Sequence, residues 1–318
     1  MKVLVTGGAG GVGRWVVREL LARGHQVTAA GRTPGRETVE GSVYEVLDCL
    51  DYPRLRQLVS QHEAVIHLAG IPSLRPDMAR ETFEANCMGT FNVFEACVEA
   101  GIPRIAVASS INALGQWYGV KPLPVRYFPI DEDHPQLLSD PYSFSKKVLE
   151  DIGEYYWHRH GIHSVSLRIT WVINPWRGQE YVNTMRAYGP NVEFLVRNYW
   201  TWVDSRDSAR AFVAGIEADY QGAHKLFINS DQNIVGLDSR ALANHFFPEA
   251  KEWREDIQGD AALVSCRRAK EILGWEPIYR LRPEDGWNLQ PSAPLTPDMV
   301  MTPGPPRPHR RPPDRGQQ

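Results

Sequence analysis

The stretch that most restricts what this chain can become is TGGAGGVG, Thr6 to Gly13, entered directly from the apolar run Val3-Leu4-Val5. Five of its eight residues are glycine, more than the one or two that a tight turn needs. A strand, a glycine-rich turn and an amphipathic helix in that order mark the first crossover of a dinucleotide-binding fold. In that setting Gly7 permits the sharp turn, Gly10 lets the backbone approach a pyrophosphate, and Gly13 lets the helix pack near the strand. Thr6, Gly11 and Val12 complete the loop. The amides at the helix start face the anion, with the helix dipole behind them.

The rest of the first two-thirds repeats that alternation. Lys2–Thr6, Gln26–Ala30, Val43–Leu47, Ala64–Leu68, Arg104–Ala108 and Ser164–Ile169 read as short buried strands. Amphipathic stretches lie between them at Val12–Arg23, Tyr52–Gln61, Ala79–Ala100 and Ser143–His160. This rhythm predicts an α/β fold, a Rossmann-type doubly wound parallel sheet with helices on both faces. A further helix (Ser205–Ala218), a strand (Lys225–Asn229) and helical runs at Asp238–Phe247 and Ser265–Leu273 follow a looser, aromatic-rich region. We expect residues 1–170 to form the NAD(P)-binding domain, with segments around 202–230 returning to it. Residues 171–288 are expected to form mainly a small C-terminal substrate-binding lobe. The proline-rich residues 289–318 have no periodic apolar face and read as a disordered tail.

Composition removes several functional classes. The net charge of -3 over 318 residues gives no electrostatic case for nucleic acid or an anionic membrane. No apolar run approaches the roughly 18 residues of a membrane span, and MKVLVTGG runs out of hydrophobic residues too soon for a signal peptide. Cys49, Cys87, Cys97 and Cys266 are scattered and form no CxxC pair, which reads as reduced thiols in a cytoplasmic protein.

The second strand indicates which nucleotide is held. An NAD-selective site usually offers a carboxylate there for the ribose hydroxyls, yet HQVTAAGRTPG ends in Gly31-Arg32. Without the acid a 2′-phosphate is not repelled, and a guanidinium can pair with it. NADP(H) is therefore favoured over NAD(H), the alternative being that Arg32 is a solvated loop charge. Asp48, after the third strand, either accepts from the adenine amino group or caps the next helix.

With the loop in place, DPYSFSKK becomes informative. Tyr142 and Lys146 are four residues apart, on one helical face. A phenol of pKa about 10 is a poor proton carrier near neutrality, and a neighbouring ammonium lowers that value. Such a tyrosine can serve as acid or base for a carbon undergoing hydride transfer. Ser109 and Ser110 end the fifth strand, at the sheet edge where open α/β folds place ligands. There Ser110 can hold the substrate oxygen that Tyr142 protonates.

At this point the chain resembles the extended short-chain dehydrogenases/reductases, also called the NAD-dependent epimerase/dehydratase family. The likeness is carried by TGGAGGVG, LDCLD, VIHLAG, NCMGTFNVFEAC, VASSINALG, PYSFSK, SLRITWVINP, WVDSRDSARAF and RRAKEILGWEP, in the family's order over roughly residues 1 to 285. The resemblance implies that Ser110 and Tyr142 contact the reacting oxygen, and that Lys146 binds the nicotinamide ribose and tunes Tyr142. It implies that Leu68, Ala69 and Gly70 border the cofactor and that Asn86 lies on the helix behind the active site. It also implies a homodimer formed through the helices around the YxxxK segment.

Departures narrow the chemistry. Leu114 stands where members often carry tyrosine, Asn174-Pro175 replaces the usual Gly-Pro, and no Asp-Glu pair follows Ser110. The missing acid pair argues against a sugar 4,6-dehydratase. The short segment from Ile169 to Trp202 favours a smaller polar substrate, such as a free sugar or sugar acid, over a nucleotide-sugar. The expected activity is that of an NAD(P)-dependent oxidoreductase or epimerase; the alternative is a noncatalytic redox sensor on the same scaffold. His158, His160 and His163 straddle a helix end at Gly161 and are not expected to converge on a metal. Trp171 and Trp176 either stack on a sugar ring or fill the core, the remaining aromatics between them and Trp202 being core. Asp204 or Ser205 is expected to cap a helix.

Overall fold

The chain as described here, in a computed structural model, comprises residues 1–72, 76–121, 123–174 and 192–280. Its elements in order are β1 (Lys2–Thr6), α1 (Gly11–Ala22), β2 (Gln26–Gly31), β3 (Val43–Val46), α2 (Tyr52–Val59), β4 (Ala64–His67), α3 (Ala79–Phe83), α4 (Gly89–Ala100), β5 (Arg104–Ala108) and β6 (Tyr127–Phe128). They continue with α5 (Pro141–His160), β7 (His163–Ile169), β8 (Trp171–Ile173), α6 (Val192–Leu195), β9 (Trp202–Asp204), α7 (Ser205–Glu217), β10 (Ala223–Ile228), α8 (Ser239–Phe246), β11 (Glu252–Trp253) and α9 (Arg267–Leu273).

Seven strands form one parallel sheet in the order β10-β7-β5-β4-β1-β2-β3. The chain winds outward from β1 through β2 and β3, then crosses back to β4 and winds the other way. The switch therefore falls between β1 and β4, paired from Val3↔Ala64 to Thr6↔His67. Strand residues alternate between two cores. Val3, Val5 and Ile66 pack with Val16, Leu20, Phe212 and Ile216 of α1 and α7. Leu4, Val65, Ile105 and Val107 pack with Leu55, Phe94, Leu149 and Tyr156 of α2, α4 and α5. Both sheet faces are thus covered, which is why these strands read as continuous apolar runs. Each fully buried Leu, Val or Phe contributes about 1.5–3 kcal/mol.

Local chemistry sets the helix ends. Asp140 caps α5 by accepting from Ser143 N at 2.8 Å, Pro141 follows it, and Gly161 at φ +70° stops the helix. The helix read as Ala79–Ala100 is interrupted by a π-turn, Glu84–Met88. The short parallel pairs β6/β11 and β8/β9 were not expected from the sequence.

A third hydrophobic core is formed mainly by residues after β7. Phe128, Tyr199, Trp200, Trp202 and Phe247 are buried there, and Ile111, Leu114, Leu123 and Val125 contribute from the segment after β5. Trp176, Tyr181, Tyr188 and the tail 289–318 lie outside the described residues.

Candidate active site

The glycine loop is compressed between β2 and β4. Gly7 turns at φ +73°, donates its N–H to Ala30 O at 2.7 Å, and a Cβ on it would stand 2.9 Å from Ala69 N. A Cβ on Gly13 would stand 2.2 Å from Gly7 O, and one on Gly8 2.8 Å from Ala29 Cβ. Gly8 was not singled out from sequence, because the need for it comes from β2. Gly10 precedes α1, which has no side-chain cap. Gly11 is exposed and Val12 packs partly against the core. A tight, side-chain-free cradle ending in uncapped helix amides fits the diphosphate of a dinucleotide.

Thr6 and Asn86 act on the loop after β4. The Thr6 hydroxyl sits 2.7 Å from His67 Nδ1 and accepts from Ala69 N at 3.4 Å, while His67 Nε2 lies 3.2 Å from Thr90 Oγ1. Burial, reinforced by Lys146, pushes His67 down to about 3, so the ring is neutral. Asn86 projects from the π-turn. Its Oδ1 accepts from Ile71 N at 2.7 Å, and its Nδ2 donates to Ile71 O at 3.2 Å and Ser145 Oγ at 2.9 Å. A Cβ on Gly70 would meet Asn86 Oδ1 at 2.7 Å. Leu68, Ala69 and Gly70 are thereby held beside Gly7, with Thr6 and Asn86 as their clamps.

Beyond β2, a Cβ on Gly31 would come 3.0 Å from the Tyr44 hydroxyl, and Arg32 is exposed. Arg14 reaches the same side, donating to Glu37 O at 3.3 Å. Asp48 is exposed and accepts from Leu50 N at 3.0 Å, making a local turn. The cap of α2 is Asp51, which accepts from Arg54 N at 3.3 Å, so the capping alternative for Asp48 is corrected to the acid three residues on.

Ser110, Tyr142 and Lys146 come together at the carboxyl end of β5. The Ser110 hydroxyl accepts from Asn112 N at 3.1 Å and stands near enough to the Tyr142 phenol to favour its phenolate. Lys146 Nζ donates to Ala108 O at 2.8 Å and lies 5.6 Å from the Tyr142 ring centroid. Tyr142 is 5% exposed and Lys146 7%. Burial raises the phenol above its ordinary range, opposed by the nearby Ser110 hydroxyl. The chain's own groups thus hold Tyr142 as an acid, where the sequence led us to expect a lowered phenol. Burial likewise pulls Lys146 down to about 8 against the pull of Cys87 and Glu150.

One group here escaped the sequence reading. Glu150, one turn beyond Lys146, accepts from Ser109 Oγ at 2.6 Å and from Arg168 Nε and one terminal nitrogen, both at 2.8 Å. The pair ties β5, α5 and β7 beneath the site; removing one partner of such a buried pair costs about 3–5 kcal/mol. The signal was present as the spacing Tyr142-Lys146-Glu150. An aromatic wall also adjoins Tyr142. Tyr118 meets it edge-on at 5.6 Å, Trp117 lies 5.4 Å from Phe194, and Phe194 lies 6.4 Å from Trp171.

The other sequence readings resolve simply. Tyr199, Trp200 and Trp202 are core. His158 pairs with Glu154 at 3.9 Å, His160 stacks on Tyr156, and His163 takes Gly222 N at 3.0 Å. Among the described residues no cluster of His, Cys, Asp and Glu is placed to hold a metal, and no helix is long and apolar enough to cross a membrane. Asp204 caps α7, accepting from Arg206 N at 2.8 Å.

Comparison with known proteins agrees with this geometry. The chain is 36% identical over 266 residues to an L-arabinose 1-dehydrogenase (NAD(P)(+)) of Haloferax volcanii, covering 78% of this chain and 96% of that protein. It is 28% identical to a uronate dehydrogenase of Pseudomonas syringae pv. tomato over 63% of this chain and 70% of that one. The fold matches a UDP-glucose 4-epimerase of Thermotoga maritima solved with UDP-glucose, with a TM-score of 0.65, 22% identity, and coverage of 91% and 97%. Residues 3–230 match the model of the NAD dependent epimerase/dehydratase family, and the chain belongs to that family.

Proposed function

We propose that this enzyme is a dehydrogenase of a small free sugar or sugar acid, working with NAD(P). Family membership already makes it an NAD(P)-dependent oxidoreductase or epimerase. The observation that carries hydride transfer is the meeting of Ser110, Tyr142 and Lys146 at the carboxyl end of β5. The two dehydrogenases named above support the dehydrogenase reading.

The glycine loop and the α1 amides would hold the dinucleotide diphosphate, and Lys146 the nicotinamide ribose. When bound, the nicotinamide takes up the hydride that leaves the substrate carbon. Ser110 orients the substrate hydroxyl, and Tyr142 as phenolate removes its proton, turning an alcohol carbon into a carbonyl. Lys146 supplies positive charge near that phenolate. In the reverse direction Tyr142 donates the proton, the state in which burial keeps it. The wall of Trp117, Tyr118, Phe194 and Trp171 gives a sugar ring an apolar face to lie against.

Three finer assignments belong to the same reading. NADP(H) is favoured over NAD(H), because Gly31 offers no carboxylate and Arg32 and Arg14 stand on that side. A cytoplasmic setting suits four free cysteines. A homodimer forms through α5 and the helical stretch from α3 to α4 beside it, where Phe83 of α3 stacks on Phe144 of α5 at 5.6 Å and Met88 of the π-turn and Tyr155 of α5 are exposed.

The test is reduction of NAD(P)+, followed at 340 nm, across pentoses, hexoses and uronic acids. Cofactor reduction by a sugar supports the dehydrogenase; sugar conversion without net reduction makes it an epimerase. Tyr142→Phe should lower kcat by about 10²–10⁴-fold with cofactor affinity unchanged. Wild-type rates in that variant would remove Tyr142 from proton transfer. Light scattering reads the assembly: wild type is expected as a dimer and Phe144→Glu as a monomer.

A further inference from the structure

Ser110 follows β5 and caps the 3-10 turn Ile111–Leu114. That turn is pinned from outside. Gln136 Nε2 donates to Ala113 O at 2.8 Å, Leu137 N donates to Leu114 O at 3.0 Å, and a Cβ on Gly115 would stand 2.1 Å from Leu137 O. The place of Asn112 in the turn is therefore set by more than its contact with Ser110. From there Asn112 reaches the Ser110 hydroxyl twice, donating from its backbone N at 3.1 Å and from its side-chain Nδ2 at 3.3 Å. A serine oxygen has two lone pairs and one proton. Two N–H donors occupy both lone pairs and leave Ser110 able only to donate. The other end of the carboxamide, Oδ1, is buried without a hydrogen-bond partner among the described residues. An unpaired buried acceptor costs stability, so the carboxamide has its effect through Nδ2.

A donating hydroxyl is what the reaction needs at this place. In reduction the substrate carbonyl oxygen gains negative charge as the hydride arrives, and a fixed O–H donor stabilises it. In oxidation the same donor favours the Tyr142 phenolate, and Ser110 stands near enough to do so. With a lone pair of Ser110 free, the phenol or the sugar hydroxyl could donate into it, and the proton would be held back from transfer. We propose that Asn112 is a positioning residue for the reaction: it fills the lone pairs of Ser110 and so holds that hydroxyl as a donor to the reacting oxygen. This rests on the roles given above to Ser110 and Tyr142.

The test is a double-mutant cycle of Asn112→Ala and Ser110→Ala, with Asn112→Asp beside it, read in steady-state kinetics on the pentoses, hexoses and uronic acids that wild type converts. Thermal unfolding of each protein checks the fold. Asn112→Ala should lower kcat about tenfold with the sugar and cofactor KM within about twofold of wild type. The acid limb of its kcat–pH profile in the oxidative direction should move to higher pH, because the phenolate loses a fixed donor. Ser110→Ala should lower kcat about 10²–10³-fold, and adding Asn112→Ala to it should change kcat by less than about twofold. Asn112→Asp puts an acceptor where the donor was and should lower kcat further than Asn112→Ala, about 100-fold. Should the Asp variant not fold, the alanine cycle carries the test alone. The same loss from Asn112→Ala with and without Ser110, or an unmoved acid limb, would overturn the assignment. A wild-type rate in Asn112→Asp would overturn it too, since the carboxamide oxygen would then be the end that meets Ser110. Wild type that converts none of these sugars with NAD+ or NADP+ overturns the roles of Ser110 and Tyr142 themselves.

Discussion

Around the glycine loop, spacing is set by backbone against backbone, whereas in the third core it is set by aromatic rings against one another. A Cβ on Gly13 would meet a carbonyl oxygen at 2.2 Å, and no rotamer change relieves that. In that core, Trp200 packs 5.4 Å from Phe246 and 6.1 Å from Phe247, and Phe128 lies 5.7 Å from Phe247. Rings can shift and re-pack; peptide groups in a parallel sheet cannot. The glycine loop is therefore sensitive to a single methyl group, and the aromatic core to lost volume.

The largest expected effect tests the aromatic core. Trp200→Ala should cost about 3–5 kcal/mol in urea unfolding while the folded fraction binds cofactor as wild type does. Loss of cofactor affinity in the folded protein would break the separation. Next, Gly13→Ala should cost about 3 kcal/mol and abolish cofactor binding. Gly24→Ala, at φ +78° with no atom near its Cβ, should cost only about 1 kcal/mol. Equal effects of the two glycine variants would remove steric contact as the cause.

A pH-dependent effect concerns Lys146, beside Tyr142 on α5. Its folded pKa of about 8 lies below the roughly 10.4 of an unfolded lysine. Between these values the unfolded chain binds the extra proton, so folding stability rises with pH. The burial penalty is full below pH 8 and gone above about 10. The wild-type urea midpoint should therefore climb between pH 8 and 10 relative to Lys146→Met, by at most about 1.4 kcal/mol per pH unit. Parallel curves would mean that Lys146 is not desolvated.

The same contrast explains what could be read in advance. The long strands β1, β2, β4, β5 and β7 and the helices α1, α2 and α5 fall within a residue or two of their expected bounds, because apolar runs and amphipathic spacing are local properties. Asp51 rather than Asp48 caps α2 because LDCLD holds two acids three residues apart, and only the backbone path selects between them. β8 pairs with β9 through Trp171↔Trp202, a contact between residues 31 apart in sequence that no window along the chain reveals. Ser110, Tyr142 and Lys146 were legible because helix spacing and a strand end place them. Glu150 pairs with Arg168 of β7, so its role needed the tertiary structure.

The π-turn at Glu84–Met88 makes the length of this helical stretch matter as well as its composition. One residue advances an α-helix by about 100°, so deleting any one of the five would restore regular winding only by rotating everything before it. Asn86 would swing off the Ile71 peptide, and the segment leaving β4 would lose its hold. Substitutions here act one side chain at a time, while a deletion would be felt along the whole segment, which therefore tolerates changes of letter better than changes of count.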